Sequence, residues 1–189
     1  MNLEVYYLHS CARTSANWLK DSDVLQGVVQ SLRILSTAAM YQTCQVDDVL
    51  PGPFDVSEPH VQWAMRSAHN YQWVLSYHLS LCELAATIDS EYKPNTYRIR
   101  NRLQTYVGLF PDELFCPPPF LYDISYVQRT TEESYRLYYR SERAKAGAYR
   151  RVVPPFWVRG VRRGPTVEIE PQQTQEEFDL DQDPLADLR

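Results

Sequence analysis

Glycine is scarce in this chain, six residues in 189, and no glycine-rich loop of the kind that cradles nucleotide phosphates is present. No H-E-x-x-H pattern occurs either, and Ser36 and Thr37 lack a serine-histidine-aspartate context, so the familiar hydrolase and nucleotide-binding signatures are excluded. The four cysteines, Cys11, Cys44, Cys82 and Cys116, are widely spaced without a C-x-x-C pair. They signal neither a zinc site nor a disulfide framework, and a reducing cytoplasm is the expected compartment. No apolar run approaches the ~18 residues that a membrane span requires. The start, Met1 to Ser10, lacks a basic opening followed by an apolar stretch, so an unexported chain without a membrane partner is expected. Internal repeats are absent, and neither a metal nor a cofactor is expected.

What the chain does have is charge distributed unevenly. The net charge is -5. From Met1 to Gln128 the balance of Lys and Arg against Asp and Glu is -5, from Arg129 to Arg163 it is +7, and from Gly164 to the end it is -7. Such asymmetry bears on partners rather than on fold, and a basic segment of this size makes nucleic acid the leading candidate.

Hydropathy spacing predicts a mainly α protein: one helical domain over residues 1–163, opened by a short strand at Leu3 to Leu8, and an acidic disordered tail over 164–189. Ser10 to Asn17 reads as loop. Asp21, Ser22 and Asp23 offer N-caps for a helix running to about Tyr41, with Val24, Val28, Leu32, Leu35 and Ala39 as its core stripe. Gln26, Gln30, Arg33 and Thr37, on the other side, are available to a ligand or to water. Prolines mark a loop from Asp47 to Pro59. A helix of roughly 30 residues follows, with Trp63, Ser67, Asn70, Val74, Tyr77, Leu81, Leu84 and Ile88 on one face. Thr96 to Tyr106 predicts a short basic helix, and Pro111 to Pro119 an extended connector. Thr130 and Glu133 have the form of a capping box, opening a last helix at Thr131 that reaches about Arg151.

Candidate chemistry concentrates in two places. On the last helix, Arg136, Arg140 and Arg143 recur at spacings of four and three, and guanidinium forks match phosphate oxygens. Tyr135, Tyr138, Tyr139 and Tyr149, with Phe156 and Trp157, add rings on which bases can stack. The alternative is a surface helix with its tyrosines packed inward and its arginines solvated or paired with Glu132, Glu133 and Glu142. On the long helix, Arg66, His69, Asn70 and Trp73 fall at i, i+3, i+4 and i+7, a spacing that lets them line one pocket. A histidine titrating near neutrality there is a candidate acid or base, and the alternative is a structural histidine beside a core tryptophan.

Several stretches in matching order carry a resemblance: MNLEVYYL at the start, LSTA at Leu35 to Ala38, P-x-x-x-W at Pro59 to Trp63, NYQW at Asn70 to Trp73, and ESYRLYYRSERA…PPFW from Glu133 to Trp157. The chain is similar to a family of helical proteins encoded by phages and bacteria. That likeness implies pyrimidine-base chemistry on DNA, either glycosylase-like excision or thymine hypermodification by transfer from a small-molecule group donor, in the host cytoplasm if the chain is phage-encoded. The family pattern reads Asp-Lys-His-apolar-apolar-Lys where this chain has Asp21, Ser22, Asp23, Val24, Leu25 and Gln26. Only Asp21 is retained, so the basic and acid-base groups of that motif are lost. The expectation is a DNA-acting protein in which Asp21 and His69 are nearest to chemistry. Gln26, Arg66, Asn70, Trp73, Arg136, Tyr139, Arg140, Arg143 and Trp157 would hold the nucleotide, whose base must leave a duplex to be reached. The competing expectation is a non-catalytic nucleic-acid-binding or interaction module.

Overall fold

Apolar side chains at helical spacing form helices in each region where the sequence predicts one, though not always over its full expected length, and one further helix forms where it predicts a loop. The computed structural model describes residues 4–89, 96–144, 149 and 155–158. In chain order its α-helices are α1 (Ala12–Asn17), α2 (Asp21–Thr43), α3 (Pro59–Arg66), α4 (Ala68–Ile88), α5 (Thr96–Tyr106) and α6 (Thr131–Tyr138). A π-helical turn, Tyr139–Arg143, continues α6. The helix expected to reach about Arg151 ends earlier, at Arg143, because the Ala144 backbone (φ -84°, ψ 82°) leaves helical geometry; residues 145–148 and 150–154 and the expected acidic tail lie outside the described residues, as does Leu3.

The core is built on α2 packed antiparallel to α4. Gly27 lies opposite Leu81, Ser31 opposite His78, and the Leu35 carbonyl opposite the Tyr71 hydroxyl. A Cβ at Gly27 would stand 3.0 Å from a Leu81 methyl, so glycine permits the helices to approach this closely. Val24, Val28, Ile34, Leu35, Val74, Leu75 and Leu81 are all buried between these helices and their neighbours. Polar groups in this interface form one closed chain. The Ser31 hydroxyl donates to the Gly27 carbonyl at 2.6 Å, leaving its oxygen to accept from His78 Nδ1 at 2.9 Å. The Cys82 thiol then faces His78 Nε2 at 3.5 Å, so a neutral imidazole satisfies every partner. Burial holds His78 down to a pKa of about 4 and pushes the Cys82 thiol up to about 12.

Four local expectations are corrected. No strand occurs among the described residues: Glu4–Leu8 is extended, with Val5–Leu8 buried between α4 and α6, but side chains meet its polar backbone. The Ser15 hydroxyl donates to the Tyr6 carbonyl and accepts from the Leu8 N–H, while Arg136 Nε donates to the Leu8 carbonyl at 2.6 Å. The stretch read as loop contains α1, whose Ser15 makes these bonds. The long helix is two helices, because Ser67 turns extended (φ -152°) and its hydroxyl caps α4 through the Asn70 N–H. Finally, the N-cap of α2 is Lys20, not Asp21, Ser22 or Asp23, and no side chain caps that end.

The capping box of α6 forms as its sequence predicts. Thr130 accepts from the Glu133 N–H, and Glu133 accepts from the Thr130 N–H, both at 3.2 Å. The helix is fixed at its start by Tyr135, which donates to the Pro119 carbonyl at 2.7 Å and faces His60 Nε2 at 3.2 Å. No helix among the described residues is long and apolar enough to cross a membrane.

Candidate nucleotide-binding cleft

The basic helix presents two different faces because the backbone changes pitch in the middle of it. In a continuous α-helix Arg136, Arg140 and Arg143 would lie on one side. At Tyr139 the hydrogen bonding switches, the Ala144 N–H reaching back to the Tyr139 carbonyl at 2.7 Å, and the wider π turn swings Arg143 away from Arg140. Arg143 turns inward. Its guanidinium meets Asp23 Oδ1 at 2.8 Å and lies over the Tyr6 ring at 5.7 Å.

Asp23 is the centre of a closed cluster. It is only 2% exposed and takes the Tyr139 hydroxyl on Oδ2 at 2.8 Å, with Lys20 Nζ 3.7 Å from Oδ1. Lys20 also donates its backbone N–H to the Tyr139 oxygen and its ammonium to the Arg143 carbonyl. Burial and then the Asp23 carboxylate hold Tyr139 far above the ordinary phenol range, so it stays a neutral donor. Burial by itself would lower the Arg143 guanidinium, but Tyr6 and Asp23 beside it outweigh that and raise it. Tyr139, expected to stack on a base, is therefore buried and committed to α2. Tyr135 is likewise buried, and half-buried Tyr138 stacks on Tyr122 with ring centres 3.5 Å apart.

The outward face is open. Arg129, Arg136 and Arg140 line a cleft of about 420 Å³ whose walls are completed by Gln128, Glu133, Leu137 and Trp157. Arg136 forms the cleft's inner edge and is held by three partners: the Leu8 carbonyl, Glu132 at 3.4 Å and the Trp18 ring at 5.1 Å. Arg129 and Arg140 are exposed and have no partner among the described residues. Trp157 is propped edge-on against Trp18 (5.7 Å) and Tyr139 (6.3 Å), so the aromatic wall has a fixed orientation. His9 meets the other side of Trp18 at 5.2 Å, with Nδ1 accepting from the Cys11 N–H. The arrangement offers two uncommitted guanidinium groups beside a rigid indole, which suits a ligand carrying phosphate and a planar ring.

The second expected pocket does not form. Arg66 and His69 are exposed and lie on either side of the Ser67 break, Arg66 against Glu113 at 3.7 Å and His69 donating from Nδ1 to the Glu113 carbonyl at 2.9 Å. Asn70 is fully buried as a structural bridge, donating to the Trp63 carbonyl at 2.9 Å and accepting from the Cys116 N–H at 3.1 Å. Trp73 is buried and donates to the Ser10 carbonyl at 2.6 Å. Asp21 and exposed Gln26 sit at the opposite end of the α2–α4 pair from His69. Some 14 helical residues intervene, roughly 20 Å at 1.5 Å per residue. Asp21 and His69 therefore share no site. Among the described residues no group of three His, Cys, Asp or Glu side chains is placed to hold a metal ion.

Sequence reasoning missed Gln128, Arg129 and Glu133 as cleft residues, and Asp23, Lys20 and Trp18 as its support. The capping box was the available signal for the first three, since it fixes how the chain enters α6 and hence where its neighbours point. No family model, curated protein or solved structure matches the chain. The fold and cleft define a helical protein with an arginine-lined, tryptophan-walled cleft.

Proposed function

We propose that this chain binds nucleic acid, DNA in particular, by seating the backbone phosphates of a strand against Arg129 and Arg140 in the cleft on α6. The observation that carries the reading is the pair of exposed guanidinium groups, without a partner among the described residues, beside a propped indole. Affinity for a labelled DNA strand then falls steeply with salt, because each neutralised phosphate releases counterions. Arg129→Ala and Arg140→Ala each reduce the salt slope by about 1. Binding that ignores salt, or is unchanged in both variants, contradicts the proposal.

The expected sequence resemblance to phage and bacterial helical proteins would extend this reading to pyrimidine chemistry on DNA. The geometry favours capture without the acid-base pair of Asp21 and His69, since these residues stand roughly 20 Å apart along the helix pair. A non-catalytic binding module is therefore the reading preferred here. Incubation with DNA carrying normal, damaged and modified pyrimidines leaves the nucleoside masses unchanged on this account. A new nucleoside mass or a released base supports instead the base-modifying or base-excising enzyme, with groups other than that pair at its centre.

A further inference from the structure

The cleft contains a carboxylate, which a site for bare phosphate would exclude. Glu133 lines it together with the three arginines. Its Oε2 accepts from the Thr130 N–H in the capping box, so the side chain is held in place while Oε1 accepts no hydrogen bond from the described residues. Gln128 lies beside it with one amide hydrogen directed at the Val127 carbonyl, leaving its second hydrogen and its own oxygen. Leu137 and Trp157 supply the apolar surface. A phosphate placed next to Glu133 is repelled, whereas an N–H of a nucleobase is accepted. The cleft thus combines cations for an anion, Arg129 and Arg140, with hydrogen-bonding groups on Glu133 and Gln128 and the ring of Trp157, a set suited to a ligand that carries both a phosphate and a flat ring bearing N–H donors.

We infer that the cleft holds an unpaired nucleobase of a single strand, with Glu133 accepting from the base edge, Trp157 beneath its face and the arginines on the adjoining phosphate. This rests on the nucleic-acid reading above and narrows it to an unstacked, base-bearing ligand. The hydrogen-bonding edge of a base in duplex is occupied by its partner, so a duplex enters the cleft only if a base leaves the stack.

The test uses the full chain and three labelled ligands of equal length: a pyrimidine oligodeoxynucleotide, the same backbone without bases, and the pyrimidine strand annealed to its complement. The base-bearing single strand binds at least about fivefold more tightly than the abasic strand, the lower end of what stacking one base supplies. The duplex binds more weakly than the single strand. Glu133→Gln retains the capping box, because glutamine also serves at that position, and an unchanged melting midpoint verifies this. That substitution removes a negative charge, so affinity for the abasic strand stays level or rises while affinity for the base-bearing strand falls by roughly fivefold. Trp157→Ala lowers base-bearing affinity by a similar factor and spares the abasic strand. Equal binding of abasic and base-bearing strands overturns this inference alone, as does a rise in affinity for both with Glu133→Gln. Absence of binding to all three ligands overturns the nucleic-acid reading as well.

Discussion

Arg140 and Arg143 lie three residues apart on one basic segment, and the fold assigns them opposite tasks. Arg143 is drawn inward onto Asp23, in a cluster sharing Tyr139 and Lys20 that ties the end of α6 to the start of α2. Arg140 is exposed on the cleft wall with no partner among the described residues. The difference comes from one π turn, and it shows that a run of positive charge is not a uniform surface. Part of it stabilises the fold, and only the remainder is available to a polyanion.

Removing the centre of the inward cluster has the largest expected effect on stability. Asp23→Ala leaves a half-buried guanidinium, an ammonium and the buried Tyr139 hydroxyl without their shared carboxylate, and destabilises the protein by about 4 kcal/mol in urea unfolding. A loss below about 1 kcal/mol would show that the cluster is solvated and that the contrast with Arg140 is false.

The next effect is a pH dependence within the α2–α4 interface. His78 titrates at about 4 in the fold against an ordinary value of 6.5, so the unfolded chain binds the proton more readily. Stability is complete above about pH 6.5 and falls as pH drops toward 4, by roughly 3 kcal/mol in total. Asp47 acts below that window. Burial would raise its carboxyl, but bonds from Tyr106 at 2.5 Å, from Arg102 and from the Val49 N–H hold it down at about 2, so its contribution is lost as pH falls from 3.8 toward 2. Unfolding midpoints that stay flat between pH 6.5 and 4 contradict the buried neutral imidazole.

Tyr139→Phe removes one hydroxyl that donates to Asp23 and accepts from the Lys20 N–H. It costs about 2 kcal/mol and leaves strand affinity little changed, since the ring still props Trp157. Arg140→Ala behaves in the reverse manner: stability moves by less than about 0.5 kcal/mol, while affinity for single-stranded DNA falls roughly tenfold. A destabilised Arg140→Ala with intact binding would exchange the roles of the two faces.

How much of this was legible depended on the range of the forces involved. The capping box at Thr130 and Glu133, the proline connector and the stripe of α4 are local chemistry, and the fold reproduces them. Ser67 escaped notice because it sits on an otherwise unbroken apolar stripe, and only its extended backbone reveals a cap. Glu4–Leu8 has the side chains of a strand, which report a buried extended segment but not whether its hydrogen bonds go to another strand or, as here, to Ser15 and Arg136. Tyr139 looked like a stacking platform because its partner Asp23 is 116 positions away in the chain. Asp23 in turn looked like a helix cap, and its inward rotation on α2 is decided by packing. Of the expected binding residues, Arg136, Arg140 and Trp157 meet in the cleft, whereas Arg66 and His69 are both engaged with Glu113 of the connector and Asn70 and Trp73 are buried.

The central claim is that the outward arginines receive the strand and the inward one does not. Arginine side-chain Nε–Hε resonances, followed by NMR while a pyrimidine oligodeoxynucleotide is added, test it directly. The account predicts that Arg129 and Arg140 shift on binding while Arg143 keeps its position. A shift of Arg143 with Arg129 and Arg140 unmoved would contradict it.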